Sequence, residues 1–184
     1  MSRFFTRKGD DGTTGLLGGG RIPKHELRPW TYGTVDEASA ALGLARSLAS
    51  SEEIRRILRQ VQRDLYHLMA EVAATVEQVE RYRTIDFERV EWLEVQIEKL
   101  GHGLDPHEFV LGGDTTPGAA LDLARTIVRR AERLVAKLQH EGELTNPYLL
   151  RYLNRLSSLC YVLLLWENRE AGVDRTTRAK VEDP

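Results

Sequence analysis

From about Thr31 to Ala171 this chain repeats one pattern, apolar residues spaced three and four apart. Between Ser50 and Ala171 no stretch alternates with period two over a useful length. That rules against a sheet-built core and leaves helices packed on helices. The first helix is expected over about Thr31 to Leu48, where Ala38, Ala40, Ala41 and Ala45 favour helix and allow close packing. A second begins after Ser50, with Glu53 completing a capping box. It carries Ile54, Ile57, Leu58, Val61, Leu65, Leu68, Met69, Val72 and Val76 at helical spacing. A third spans about Asp86 to Leu100 and is stopped by Gly101. Thr116-Pro117 and Asn146-Pro147 each set a capping side chain before a proline that needs no N–H. These last two helices are expected to reach His140 and Ala171, with Gly142 between them and Gly172 at the end.

Five helices on mostly short connections imply an all-α, five-helix up-and-down bundle. A length of 184 residues suits one core and is short for two. The expected single domain divides into an arm (1–30), the bundle (31–172) and a polar tail (173–184). A net charge of −2 gives no global attraction to nucleic acid or to an anionic membrane. The longest apolar run, Leu159 to Trp166, is far below the roughly 20 residues needed to cross a bilayer. A cytoplasmic protein is expected. The lone cysteine, Cys160, cannot form an intramolecular disulfide and reads as a buried, inert thiol.

The arm breaks the helical pattern. In TRKGDDGTTGLLGGGRIPK, Gly9, Gly12, Gly15, Gly18, Gly19 and Gly20 are flanked by Arg7, Lys8, Arg21 and Lys24 and interleaved with Asp10, Asp11, Thr13 and Thr14. Bare backbone N–H groups and cations together can cradle an anion such as a polyphosphate. The composition fits a mobile terminus equally well. A P-loop is excluded, because GLLGGGRI from Gly15 to Ile22 ends in the wrong residues. No strand precedes the glycines in Rossmann fashion. None of His25, His67, His102, His107 or His140 follows a glutamate by three, so a ferritin-like dimetal bundle is excluded.

On the fourth helix Arg125, Arg129 and Arg133 recur every four residues beside Arg130 and Glu132, opposite a core face of Leu123, Ala124, Ile127, Ala131, Leu134 and Leu138. Such a stripe is either a solvated face or a carboxylate or phosphate site. On the fifth, Arg151, Asn154 and Arg155 interrupt a leucine-rich sequence. The spacing of Asn154 from Leu150, Leu153 and Leu156 predicts a position near the buried side. Asp36 is an exposed acid or the partner of a fourth-helix arginine.

In order, TRKGDDGTTGL, GGGRIPK, YGTVDE, FVLGG, ALDLARTIVRRAER and YLNRLSS resemble the PduO-type ATP:cob(I)alamin adenosyltransferases over about Thr6 to Glu170. The resemblance implies a homotrimeric five-helix bundle with sites between subunits, binding ATP with Mg²⁺ and then cobalamin. Matching ATP positions are Thr6, Arg7, Lys8, Gly9, Thr14, Gly15 and Lys24 on the arm, which ATP would order. They continue as Arg129, Arg130, Ala131, Glu132 and Arg133 on the fourth helix and Asn154 on the fifth. Arg129, Asn154 and Phe109 are the implied catalytic residues. Arg125 is implied to pair with Asp36 of a neighbouring subunit, and Phe109 to fill the lower axial position of cobalt. An electron supplied by a reductant gives cobalt(I), which attacks C5′ of ATP and expels triphosphate.

The sequence departs from the family at four places. Leu111-Gly112-Gly113-Asp114 stands where LPGG is usual, so a looser loop beside Phe109 is expected. Ser158 replaces the acid that ends NRLSD, and Ala38-Ser39-Ala40 follows Asp36-Glu37 in place of the LNS of DELNS. No aromatic follows Trp166, so no C-terminal cap over the corrin is expected. Because most of these changes fall on the cobalamin side, the competing expectation is a non-catalytic ATP- or corrinoid-binding carrier or sensor. An interaction bundle whose arginines hold an acidic partner is the third.

Overall fold

A computed structural model describes residues 4–104, 110–173 and 176–180. The arm is folded. Strand β1 (Thr13–Gly15) pairs antiparallel with β2 (Arg21–Pro23), with Thr14 opposite Ile22. Three-residue strands are too short to show alternation in sequence. The turn between them docks on the end of the second long helix through Leu17 N to Ala73 O (2.9 Å) and Thr75 N to Leu17 O (2.9 Å). Gly18 sits there at φ +104°, and a Cβ on it would lie 2.6 Å from Gln78 Cγ. Only glycine meets both conditions.

Helix α1 (Leu27–Leu48) starts a turn earlier than the alanine pattern suggests, because Pro29 lies in its first turn, where no donor is lost. Helix α2 (Glu52–Ala73) is capped by Ser51, whose hydroxyl accepts from Ile54 N at 3.2 Å, and not by Ser50. The Ser50 N–H is taken instead by the Glu167 carboxylate. A single turn, α3 (Val79–Tyr82), follows, and then α4 (Phe87–Gly101), capped by Asp86. Gly101 is the last helical residue, and the left-handed stop falls at Gly103 (φ +74°). In α5 (Thr116–His140) the cap is Thr115, one residue ahead of the expected Thr116. In α6 (Pro147–Glu170) the expected Asn146 cap and Gly172 stop both hold.

The long helices lie side by side, α1 against both α2 and α5, and α6 against both α5 and α4. Their facing sides make one apolar core, from Val35 and Leu42 through Leu65, Val128 and Leu163. Cys160 lies wholly inside it, and burial pushes its thiol up to about 12, in accord with an inert role. Leu123 departs from the expected core face and is exposed, while Leu121 and Val128 are buried in its place. Among the described residues no helix is long and apolar enough to cross a membrane.

Three polar locks close the bundle. Asp64 on α2 accepts from Tyr152 Oη on α6 (2.8 Å), from Gln60 Nε2 (3.0 Å) and from the Arg89 guanidinium on α4. Arg28 on α1 donates to the terminal α2 carbonyls of Val72 (2.9 Å) and Ala74 (3.2 Å) and pairs with Glu143 in the α5–α6 connection. Asn146 donates to Glu71 Oε2 (3.1 Å) and to Ile85 O (2.9 Å). Burial of Glu71 raises its pKa above the ordinary 4.5. The folded state therefore holds this proton more tightly than the unfolded chain. The associated stability is present below about pH 4.5 and lost as pH rises through the raised value. Glu71→Gln is expected to flatten that decline, read as the wild-type minus variant difference in urea stability across pH 4–8. An unchanged difference would show that Glu71 ionises normally.

Candidate functional site

Along the seam of α5 and α6, residues four apart on one helix face residues four apart on the other. The seam opens into a cleft of about 540 Å³. Arg129, Glu132, Arg133 and Ala136 line it from α5, and Leu150, Arg151, Asn154 and Arg155 from α6. Four arginines face one carboxylate, so the cleft is electropositive although the chain is not.

The polar groups on its floor form a relay. Asn154 Nδ2 donates to Glu132 Oε1 (2.8 Å), Arg155 donates to Asn154 Oδ1 (2.7 Å), and Arg155 Nε donates to Glu94 Oε1 on α4 (2.7 Å). Arg151 stacks its guanidinium 5.4 Å from the Tyr148 ring centre. Among the described residues, Arg129 and Arg133 make no ion pair or side-chain hydrogen bond, and both are exposed. A guanidinium without an internal carboxylate presents its whole donor fork to a ligand, and two of them one turn apart suit a chain of phosphates. Asn154, expected near the buried side, is exposed in this cleft. Leu150, four residues before it, is itself only half-buried, so the apolar seam is narrower here than the leucine count suggests.

The other expected residues divide between different faces. Arg130 turns away to pair with Glu37 of α1, lining a second cleft of about 480 Å³ with Trp30, Gly33 and Thr34. Ala131, another matching ATP position, is fully buried, so its methyl packs in the core. Within one chain Arg125 Nε is held by Asp122 Oδ1 (2.9 Å), while Asp36 is exposed on α1. Phe109 lies outside the described residues.

On the arm, Arg21 organises the turns. Its guanidinium donates to Thr13 Oγ1 (2.7 Å), Thr13 O (3.1 Å) and Lys8 O. Asp11 accepts from Thr13 N (2.9 Å) and Oγ1 (2.8 Å), bonds that hold its carboxyl below the usual range. Lys24 Nζ donates to Gly9 O (2.8 Å), which ties together two of the expected ATP positions. A Cβ at Gly9 would come within 3.0 Å of that ammonium. Thr6, Arg7, Lys8 and Gly15 are exposed, and Arg7 adopts φ +62°. Thr14 is half-buried. Among the described residues no arm residue lines the α5–α6 cleft, so the two sets of expected ATP residues lie apart there.

Sequence reasoning named Arg151 and Arg155 without assigning them to the site. The signal was available: Arg151 lies three residues before Asn154 on the same helix face, and Arg155 lies four residues after Arg151. Glu37 and Arg28 were missed because nothing local marks a cross-helix partner.

Comparison with known proteins adds to this geometry. The family described as cobalamin adenosyltransferase matches residues 4–167. The chain is 38% identical over 170 residues to the corrinoid adenosyltransferase PduO of Salmonella typhimurium, covering 91% of this chain and 50% of that protein. It thus spans about half the length of that relative. It is 35% identical over 178 residues to the corrinoid adenosyltransferase of Mycobacterium tuberculosis, covering 94% and 92%. Among solved structures it resembles a phenylalanine-to-alanine variant of the PduO-type ATP:corrinoid adenosyltransferase of Lactobacillus reuteri, complexed with cobalamin and ATP. The TM-score is 0.88 at 28% identity, covering 97% of this chain and all of that one. An arginine-to-lysine variant of the same enzyme, complexed with ATP, matches at 0.86 and 27%, covering 96% of this chain and 99% of that one.

Proposed function

We propose that this chain, which belongs to the PduO-type cobalamin adenosyltransferase family, transfers the 5′-deoxyadenosyl group of ATP to cob(I)alamin, giving adenosylcobalamin and triphosphate. The observation that carries the reading is the pair of guanidiniums, Arg129 and Arg133, that line the α5–α6 cleft with no ion-pair partner among the described residues. Triphosphate leaves with its negative charge increased, so donors fixed where that charge develops lower the barrier. Glu132 is held by Asn154 and keeps its second oxygen available. It is the one carboxylate lining the cleft, which fits a Mg²⁺ ion carried mainly by phosphate oxygens. Such an ion would neutralise phosphate charge.

Cobalt(II) in cobalamin is hard to reduce while an axial base donates into it. An apolar side chain in place of that base, the role proposed for Phe109, favours the four-coordinate form. A reductant then supplies one electron, and cobalt(I) attacks C5′ as triphosphate departs. The chain's residues need only position and stabilise charge; no general base is required.

The division of expected ATP residues between the arm and the cleft supports a site assembled by two copies. An exposed face of α1 and α5 bearing Trp30, Leu44 and Leu123 gives those copies apolar surface to bury. We therefore propose a homotrimer, with Arg125 exchanging Asp122 for Asp36 of the neighbour. A species of one chain by analytical ultracentrifugation would count against it. ATP as substrate suits a cytoplasmic reaction.

The deciding experiment supplies ATP, Mg²⁺, cob(II)alamin and a reductant anaerobically and follows light-sensitive adenosylcobalamin. Tight ATP binding without product would favour the carrier or sensor. Phe109→Ala is expected to leave ATP affinity unchanged and to slow adenosylation by at least about tenfold, in line with the cost of misplacing a reacting centre. Equal losses for both substrates would remove Phe109 from the corrinoid side.

A further inference from the structure

The loop lacking the family's proline is not slack. Thr177 in the tail is bound at every polar atom to the segment 110–114. Asp114 Oδ1 accepts from Thr177 Oγ1 (2.6 Å), Asp114 Oδ2 accepts from Thr177 N (2.9 Å), and Leu111 N donates to Thr177 O (2.8 Å). Val110 and Arg178 form an antiparallel bridge beside them. The far side is equally tied. Buried Asn168 on α6 accepts from Thr115 Oγ1 (2.7 Å) and reaches Asp114 Oδ2 at 3.5 Å. Gly118 lets this happen, since a Cβ there would sit 2.7 Å from Asn168 Oδ1. A Cβ on Gly112 would strike Asp122 at 2.7 Å, so the loop lies directly on α5.

We infer that Asp114 and Thr177 form a latch that fastens the tail to residues 110–114 and positions the corrinoid-side loop, where the resemblance would place LPGG. Val110 directly follows Phe109 in the sequence, so the latch holds the residue next to the proposed corrinoid-side aromatic. Asp114 and Thr177 are positioning residues acting through this loop, and the role rests on the adenosyltransferase reading. A charged acceptor bonded to both a hydroxyl and an amide is strong enough to hold an exposed segment.

Kinetics of Asp114→Ala and Thr177→Val, together with the chain ended after Val173, test the latch. Each is expected to raise the cob(II)alamin KM roughly tenfold with the ATP KM unchanged. Each should also lower the four-coordinate cob(II)alamin signal seen with ATP bound. Asp114→Asn keeps an acceptor for Thr177 and should recover most of the loss. Asp114→Ala in the shortened chain should add nothing, because both remove the same contact. Equal changes in both KM values, or additive losses, overturn the latch. If the wild-type chain makes no adenosylcobalamin, the functional reading falls separately. Hydrogen exchange at Leu111 then decides: protection lost in Asp114→Ala supports the latch, and unchanged protection overturns it.

Discussion

Arg129→Ala is expected to abolish useful ATP turnover, with a loss of about 10²–10³ in kcat/KM or more, and to leave the melting temperature unchanged. The separation of the two effects follows from its surroundings. The guanidinium is exposed and, among the described residues, has no carboxylate partner, so its removal orphans nothing inside the protein. Arg125 and Arg133 lie four residues to either side, and removing the middle charge relieves repulsion of a few tenths of a kcal/mol per pair. Loss of function without loss of stability is therefore the signature of a donor reserved for ligand. Arg129→Lys keeps the charge and discards the planar fork, and an intermediate rate is expected. Initial rates at varied ATP, beside thermal denaturation of the same samples, make the comparison. Unchanged ATP kinetics would move the nucleotide elsewhere. A falling melting temperature would make Arg129 a packing residue.

The sequence carries the helices better than it carries their partners. Asn146-Pro147 marks a helix start to the residue, since asparagine caps and proline needs no donor. Thr115-Thr116-Pro117 is ambiguous by one, because two adjacent hydroxyls can each cap and proline is tolerated at either of the first two helical positions. The arm's hairpin was illegible for another reason. Arg21 ties it together through Asp11, Thr13 and the Lys8 carbonyl, and a propensity pattern holds no record of that contact. The same limit hid the tail. Composition read 173–184 as polar, yet Thr177 is bonded to Asp114 from a position 63 residues away.

Within the site, the arginine stripe was legible as a stripe but not as a division of labour. Spacing alone puts Arg129, Arg130 and Arg133 close together. Only the placement of α1 shows that Arg130 is spent on Glu37, while Arg129 and Arg133 line the cleft. Ala131 illustrates the converse: a position inside a matching motif can serve the core instead of the surface. Among the described residues the arm and the cleft are separate, and no periodicity in the sequence encodes that separation.

The cleft also depends on a buried contact on its inner side. Asp64→Ala is expected to destabilise the chain by about 3–5 kcal/mol, the range for removing one partner of a buried ion pair. The variant would leave the Arg89 guanidinium without its carboxylate and the fully buried Tyr152 hydroxyl without its acceptor. Both donors would then bear a desolvation penalty that Asp64 now offsets. Asp64 and Arg89 also hold α4 to α2, and α4 supplies Glu94, which orients Arg155 and through it Asn154. Replacing the pair together, as Asp64→Leu with Arg89→Met, is expected to recover part of the stability: the apolar pair has no charge to desolvate, while Tyr152 Oη stays without its acceptor. Urea denaturation of the single and double variants measures this directly. A single-variant loss below about 1 kcal/mol would mean that water reaches Arg89 and Tyr152 and that α4 is held by its apolar face alone. If the double variant folds firmly yet binds ATP less well, the ion pair fixes the angle of α4, and with it the reach of Arg155 into the cleft.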